Sequence, residues 1–187
     1  MTFLEKELED FLFYFLENND LDLITKLELR GLDFDYVENM SFSRQMDLQP
    51  YGIADIIGIG LSLKDGVLVA NVFVFELKKD KISYSAFGQA CRYLRCIDNQ
   101  VTLKAEELGV GVKRNYEVIL VGTELDVSSD FLFLPSFITD LRCFCAEFSP
   151  INGITFSETP HYVKGNNDNL PSSLKEIFNS VSINKKL

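Results

Sequence analysis

The sequence predicts a single α/β domain, and three observations support this fold class. The chain has 187 residues, which is the length of one domain and enough to bury a sizeable core. Short β-branched segments alternate with helix-like segments, a pattern typical of helices packed on a sheet. Apolar residues near the start also recur at helical spacing, namely Leu8, Leu12, Phe15 and Leu16. We expect residues 1–187 to form one domain with its core over about residues 3–160.

The first helix has a recognisable start and end. Thr2 at the N-cap and Glu5 three positions later form a capping box. The polar run Asn18-Asn19-Asp20 ends the helical pattern. A second helix or an irregular segment is predicted over residues 22–29, and residues 31–50 are of mixed character.

Two strands form the centre of the predicted sheet. Gly52 to Ile59 and Val67 to Lys78 are dense in β-branched and aromatic residues, and Lys64-Asp65-Gly66 between them has the composition of a turn. The two strands therefore form a hairpin. Because apolar residues occupy both of its faces, the hairpin should be covered on both sides.

The remaining elements complete the alternation. Ser83 or Ser85 caps a helix that runs to about Ile97. The further predictions are a strand at 116–122, helix-like structure at 131–138, strands at 141–148 and 153–157, and a C-terminal helix at about 170–182 with Pro171 near its start.

Charge and composition limit the possible functions. The net charge of −10 opposes binding to nucleic acid, which favours a positive surface. Residues 78–114 weaken this argument against nucleic-acid binding, because they contain eight basic and four acidic side chains. The acidic N-terminus is unlike a signal peptide, and the longest apolar run, Val67 to Phe75, is too short to span a membrane. We expect a cytoplasmic protein. The cysteines form no C-x-x-C pair, so they are expected to be reduced and buried rather than zinc ligands.

Three residues at the hairpin form a candidate catalytic site. Glu76 and Lys78 lie two positions apart near the end of a strand, so their side chains share one face. Asp55 lies in the preceding strand between apolar neighbours, where a charged residue needs a partner. The hairpin brings Asp55 beside Glu76. Two such carboxylates would repel each other unless they shared Mg²⁺ or Mn²⁺, which prefer oxygen ligands and promote phosphodiester hydrolysis.

The surroundings of the Glu-x-Lys triplet add weight to this interpretation. In a chain of this composition the triplet by itself is expected about once by chance. Here it ends a buried strand, pairs with Asp55, and precedes a helix that has Gln89 and Tyr93 on one face.

The segments around these residues resemble the PD-(D/E)XK nuclease superfamily. They are Gly52-Ile53-Ala54-Asp55, Phe75-Glu76-Leu77-Lys78 and Gln89-Ala90-Cys91-Arg92-Tyr93, and the Gln-x-x-x-Tyr element is similar to the RecB-like branch. The residue before Asp55 departs from the family pattern, being Ala54 instead of proline. The resemblance covers roughly residues 3–122 and implies a restriction-endonuclease-like mixed sheet flanked by helices in the order α-β-β-β-α-β.

The resemblance also implies roles for individual residues. Asp55 and Glu76 would bind the metal and Lys78 would position the nucleophile. A glutamate of the first helix would assist, with Glu5 the best match and Glu7 and Glu9 as competitors. Gln89 and Tyr93 would contact the site or the nucleic-acid backbone, and Arg44 would contact phosphate. The implied function is a magnesium-dependent nuclease acting on DNA, with specificity supplied by loops, a homodimer or a partner subunit.

Each of these residues also has an ordinary structural interpretation. Asp55 would be satisfied by backbone donors, and Glu76 and Lys78 would form a solvated ion pair. Glu5 would serve only the capping box. Two other functions therefore stay open: a catalytically silent nuclease-fold protein that binds nucleic acid or a protein, and an unrelated α/β interaction domain.

Overall fold

The structure is a computed structural model that describes residues 5–18, 37–149 and 153–159. It contains three α-helices: α1 (Glu5–Asn18), α2 (Tyr84–Leu108) and the short α3 (Leu134–Phe137), which follows a 3₁₀ turn at Asp130–Phe133. The strands are β1 (Glu38–Asp47), β2 (Ile53–Lys64), β3 (Val67–Leu77), β4 (Lys81–Ile82), β5 (Lys113–Gly122), β6 (Glu124–Leu125), β7 (Leu141–Ser149) and β8 (Gly153–Glu158). The predicted helices at 22–29 and 170–182 and the predicted capping residue Thr2 lie outside the described residues.

The fold is α/β, as predicted, with a mixed six-stranded sheet in the order β1-β2-β3-β5-β7-β8. The pairs β1–β2, β2–β3 and β7–β8 are antiparallel. The pairs β3–β5 and β5–β7 are parallel. The two-residue strands β4 and β6 pair with each other in a separate small sheet.

The predicted hairpin is confirmed, and its turn has a local cause. Asp65 and Gly66 connect β2 to β3 and both have positive φ, at 52° and 76°. Two successive residues of positive φ match the twist of a hairpin, and Asp-Gly adopts them readily. The strands then pair from Lys64↔Val67 to Ile56↔Phe75.

Two apolar layers cover the two faces of the sheet. Phe73, Phe75 and Leu77 of β3 pack in the layer that includes α1. Val72 and Val74 pack in the layer that includes α2. This alternation explains why β3 is apolar at nearly every position: both of its faces are covered. The apolar side of α1 is core, with Leu8, Leu12, Phe15 and Leu16 all buried.

The structure differs from the sequence analysis at β1 and α2. The segment predicted as mixed contains the ten-residue edge strand β1, whose side chains are mostly exposed. The helix α2 passes the predicted end at Ile97 and continues to Leu108, where Gly109 at φ 64° caps it. Among the described residues, no helix combines the length and apolar character needed to cross a membrane.

Candidate functional site

Asp55 and Glu76 lie close together where the β2–β3 pairing ends. The last pair of the ladder is Ile56↔Phe75. Just beyond it, Oδ2 of Asp55 accepts a hydrogen bond of 2.8 Å from the backbone N–H of Leu77, and the charge of Asp55 acts on Glu76. The two carboxylates predicted to act together are therefore neighbours.

Glu76 is the most deeply buried acidic side chain of this group, with 1% of its surface exposed. Its Oε1 accepts a hydrogen bond of 2.5 Å from Lys78 Nζ. Its Oε2 is buried and has no hydrogen-bond partner among the described residues. Burial raises the pKa of Glu76 to about 7, with a further upward contribution from the charge of Asp55, while the hydrogen bond from Lys78 opposes the rise.

Asp55 and Lys78 are also shifted. Burial raises the pKa of Asp55, although the Leu77 N–H and the charge of Lys78 act in the opposite direction. Burial acts to lower the pKa of Lys78, but the hydrogen bond and charge of Glu76 outweigh it, so its pKa is raised. Lys78 therefore stays a cation at neutral pH, as a group that stabilises a phosphate anion must.

Two glutamates of α1 reach this group, and they lie one helical turn apart. Glu5 Oε2 accepts a hydrogen bond of 3.2 Å from Lys79 N, and its charge acts on Asp55, Glu76 and Lys78. Glu9 is 7% exposed. Burial raises the pKa of Glu9, and the charge of Asp55 adds to the rise.

The structure brings both Glu5 and Glu9 near the strand carboxylates. Glu7 is exposed, whereas Glu9 is buried on the side of α1 that faces the carboxylates. Glu5 and Glu9 occupy positions i and i+4, which lie on the same side of a helix. The sequence interpretation ranked Glu5 first and treated Glu9 only as an alternative; in the structure both belong to one cluster.

The Gln-x-x-x-Tyr element supports the strand that contains Asp55. The hydroxyl of Tyr93 donates to the carbonyl of Ile53 at 2.7 Å and accepts from Gln89 Nε2 at 2.8 Å. A Cβ added to Gly52, which has φ +115°, would lie 3.3 Å from the Tyr93 oxygen. Burial raises the pKa of Tyr93, and the charges of Glu76 and Asp55 add to the rise, while the hydrogen bond from Gln89 opposes it. Both predicted side chains are thus beside the carboxylates.

Arg44, the predicted phosphate contact, lies at the surface beside α1. Its Nη1 forms an exposed ion pair of 2.5 Å with Asp10 of α1. Its guanidinium also lies over the ring of Phe13, 5.1 Å from the centroid. The side chain therefore links β1 to α1.

Sequence reasoning missed Gln45, which holds Glu9 in place. Its Nε2 donates to Glu9 Oε2 at 2.6 Å. Gln45 has φ 49°, a left-handed conformation that is uncommon and costly for a residue other than glycine. Because of it, Arg44 and Gln45, although consecutive in a strand, both contact residues of α1. No feature of the sequence signals this.

A second missed residue is Gly122, which lets the exit of β3 pack closely on β5. Lys78 N donates to Val121 O at 2.8 Å, and Thr123 N donates to Asp80 O at 2.9 Å. A Cβ on Gly122 would lie 2.8 Å from Asp80 O, closer than real Cβ atoms approach a backbone oxygen. The absence of a side chain at Gly122 therefore permits the backbone hydrogen bonds that hold the segment containing Lys78 against β5.

Carboxylates outnumber the cations that act on them in this cluster. Burial raises the pKa of Asp55, Glu76 and Glu9, and the charge of a neighbouring acid adds to each rise, while Lys78 opposes it at Asp55 and Glu76 and Arg44 opposes it at Glu9. Within the described part of the chain, no group of three or more His, Cys, Asp or Glu side chains is arranged to hold a metal ion.

Comparison with protein-family models, with curated proteins and with solved structures finds no match. The functional assignment consequently depends on the geometry of this cluster.

Proposed function

We propose that the protein is a magnesium-dependent nuclease that hydrolyses phosphodiester bonds of DNA, with Asp55, Glu76 and Lys78 at its active site. The observation on which this depends most is the buried Oε2 of Glu76, which finds no hydrogen-bond partner in residues 5–18, 37–149 and 153–159. A buried carboxylate oxygen without a donor costs free energy. A cation shared with Asp55 removes that cost.

The donor set fits Mg²⁺ or Mn²⁺. Both ions prefer oxygen ligands, and Mg²⁺ is usually bound through one or two carboxylates while it keeps several waters. Asp55 and Glu76 would hold it, Asp55 through the oxygen that is not tied to Leu77 N. When bound, the ion would supply positive charge to a phosphate oxygen.

The remaining groups of the chain have separate tasks. Lys78, kept protonated by Glu76, would stabilise the negative charge that grows on the phosphate and orient the attacking water. Glu5 and Glu9 would accept hydrogen bonds from that water or from the hydration shell. Tyr93 and Gln89 would position the strand that contains Asp55 through the carbonyl of Ile53.

The order of elements supports the resemblance to PD-(D/E)XK nucleases. Apart from the two-residue β4, the elements of the described residues run α1, β1, β2, β3, α2, β5, which is compatible with the order α-β-β-β-α-β. A glutamate on the first helix, carboxylates on β2 and β3, and the Gln-x-x-x-Tyr element on α2 would then serve the roles that the resemblance implies.

A cleavage assay tests the proposal. Single-stranded, duplex and branched DNA would be incubated with the protein in Mg²⁺, in Mn²⁺ and in EDTA. We expect metal-dependent cleavage that Glu76→Gln and Lys78→Ala each reduce by about 10²-fold or more, the usual cost of removing one group that stabilises the transition state. Lys81→Ala, which breaks an exposed ion pair with Glu124, is the matched control and should cleave normally. Activity that survives both site substitutions would overturn the assignment.

A catalytically silent nuclease-fold protein is the second candidate, and one observation favours it. Glu76 Oε1 already has Lys78 at 2.5 Å, so the pair is satisfied on one side without any metal. Binding of DNA or of a protein partner, with no cleavage of any of the three DNA forms in either metal, would select this function.

A further inference from the structure

A polar cavity of about 380 Å³ lies at the other end of the central strands. It is lined by residues of three adjacent strands, among them Ser62 of β2, Asn71 of β3 and Lys113 of β5. Asn71 precedes Glu76 by five positions on β3, about 17 Å along a strand. The cavity is therefore separate from the carboxylate cluster.

The strand register explains how the cavity is built. Ser62 pairs with Val69, Val69 pairs with Lys113, and Asn71 pairs with Asn115. Successive alternate residues of a strand share a face, so all of these side chains, together with Lys64, project from the face that Phe73 and Phe75 cover further along. The apolar α1 layer ends there, and a polar floor replaces it.

Asn71 is the centre of this floor and is 2% exposed. Its Nδ2 donates to Ser62 Oγ at 2.9 Å, and its Oδ1 accepts from Asn115 Nδ2 at 3.2 Å. Asparagine is disfavoured in strands, and a buried polar group is costly unless it is bonded. The network orients Ser62 and Asn115 at the rim of the cavity, where each keeps hydrogen-bonding capacity.

The charge of the cavity is positive, although the chain has a net charge of −10. Lys64 and Lys113 line it, and neither ammonium has an ion-pair partner within residues 37–149. The guanidinium of Arg114 is paired with Asp98 at 3.3 Å. Asp65 is the one acidic side chain of the lining. Two unpaired lysines beside hydroxyl and amide donors form a set that suits an oxyanion.

We propose that this cavity binds the phosphate group of a small phosphorylated ligand, through Lys64 and Lys113 with hydrogen bonds from Ser62 and Asn115. The shared chemistry is a phosphate dianion, whether it is inorganic phosphate or the monoester of a mononucleotide. The proposal does not depend on the nuclease proposal, since it uses none of the carboxylate cluster.

Calorimetric titration of the full chain tests the proposal, in EDTA so that no metal-mediated phosphate site contributes. The probes are inorganic phosphate, AMP and adenosine. We expect saturable binding of phosphate and AMP and none of adenosine. The double variant Lys64→Ala/Lys113→Ala should bind at least about tenfold more weakly, because it removes both charge-assisted hydrogen bonds. Lys104→Ala, which removes an exposed lysine from a pair with Glu107, should bind as wild type does.

Asp65→Asn distinguishes a binding role from a loss of folding. It removes the opposing charge and should tighten phosphate binding by about threefold, an effect that structural damage does not produce. Asparagine also tolerates the positive φ of this turn position. The proposal is overturned if adenosine binds as well as AMP, if Lys104→Ala weakens binding as much as the double variant, or if 10 mM phosphate, roughly 10⁴ times a micromolar Kd, gives no saturable signal.

Discussion

Replacing Glu76 by glutamine removes a buried charge while it keeps the shape of the side chain, and the structure gives the pH dependence that follows. The pKa of Glu76 is about 7 in the folded protein, against an ordinary value of 4.5. A carboxyl group with a raised pKa binds its proton more tightly when folded. The carboxyl group of Glu76 therefore contributes most to the free energy of unfolding below pH 4.5, and this contribution declines as the pH rises to about 7. Over the pKa shift from 4.5 to about 7, the loss of stability amounts to about 3 kcal/mol, at about 1.4 kcal/mol for each tenfold change in proton affinity.

The assay is urea unfolding of both proteins in EDTA at pH 5, 6, 7 and 8. The stability of wild type should fall relative to that of Glu76→Gln across this range, mostly between pH 5 and 7, and level off above it. Glu107→Gln, which removes an exposed carboxylate, controls for the loss of one charge. If wild type and Glu76→Gln keep a constant difference from pH 5 to pH 8, burial does not disfavour the ionised Glu76 and the reasoning is refuted.

The same pair of proteins reports on the cation. If Mg²⁺ binds with a Kd on the order of 1 mM, then 10 mM Mg²⁺ stabilises wild type at pH 8 by about 1.4 kcal/mol. Glu76→Gln, which lacks one of the two ligands, should gain much less. Equal stabilisation of both proteins would place the ion elsewhere.

Three further substitutions test the supports of the site. Tyr93→Phe removes the hydroxyl that bonds Ile53 O and Gln89, and should lower the free energy of unfolding by about 1 kcal/mol in a urea melt; no loss would show that the strand does not need this bond. The new Cβ of Gly122→Ala would lie 2.8 Å from Asp80 O, so this variant should lower the free energy of unfolding by about 1–3 kcal/mol. Gly88→Ala is the control, because no atom lies within 4 Å of its new Cβ in α2, and it should raise the free energy of unfolding by up to about 1 kcal/mol. Similar effects of the two variants would contradict the close packing at Gly122. Gln45→Ala removes a donor that lowers the pKa of Glu9, so a carbon-detected NMR titration should show that pKa higher than in wild type, and an unchanged value would contradict the contact.

The central hairpin could be predicted from sequence because its signals are local. Asp65-Gly66 specifies the turn, and the density of apolar residues in β3 specifies burial on both faces. Once the turn is fixed, the register follows, and with it the neighbourhood of Asp55 and Glu76. The position of the candidate site was therefore contained in a short stretch of sequence.

The strand β1 could not be predicted in the same way, because an edge strand has few apolar positions. Its burial alternates only weakly, and at Gln45 the left-handed backbone breaks the alternation. The end of α2 lies beyond the predicted one for a different reason. Polar Asp98 and Asn99 suggest an end, but Asp98 faces β5, where it accepts a hydrogen bond from the Tyr116 hydroxyl and pairs with Arg114.

The choice among the glutamates of α1 depended on contacts distant in sequence. Glu5, Glu7 and Glu9 are locally equivalent, each near the start of one helix. Their difference arises from Gln45, 36 positions beyond Glu9, and from Lys79, 74 positions beyond Glu5. Such contacts leave no trace in spacing or composition.

The distribution of ion pairs bears on which kind of nucleic acid the protein could bind. The eight basic side chains of residues 78–114 suggested a surface able to offset the net charge of −10. In the structure six of them are paired with acidic groups, and only Arg92 and Lys113 have no such partner within the described residues. Paired cations neutralise few phosphates, and phosphate neutralisation supplies most non-specific affinity for duplex DNA. The proposed active site would therefore draw little on a basic surface, which favours short or single-stranded substrates, or a partner subunit that brings the duplex to the site.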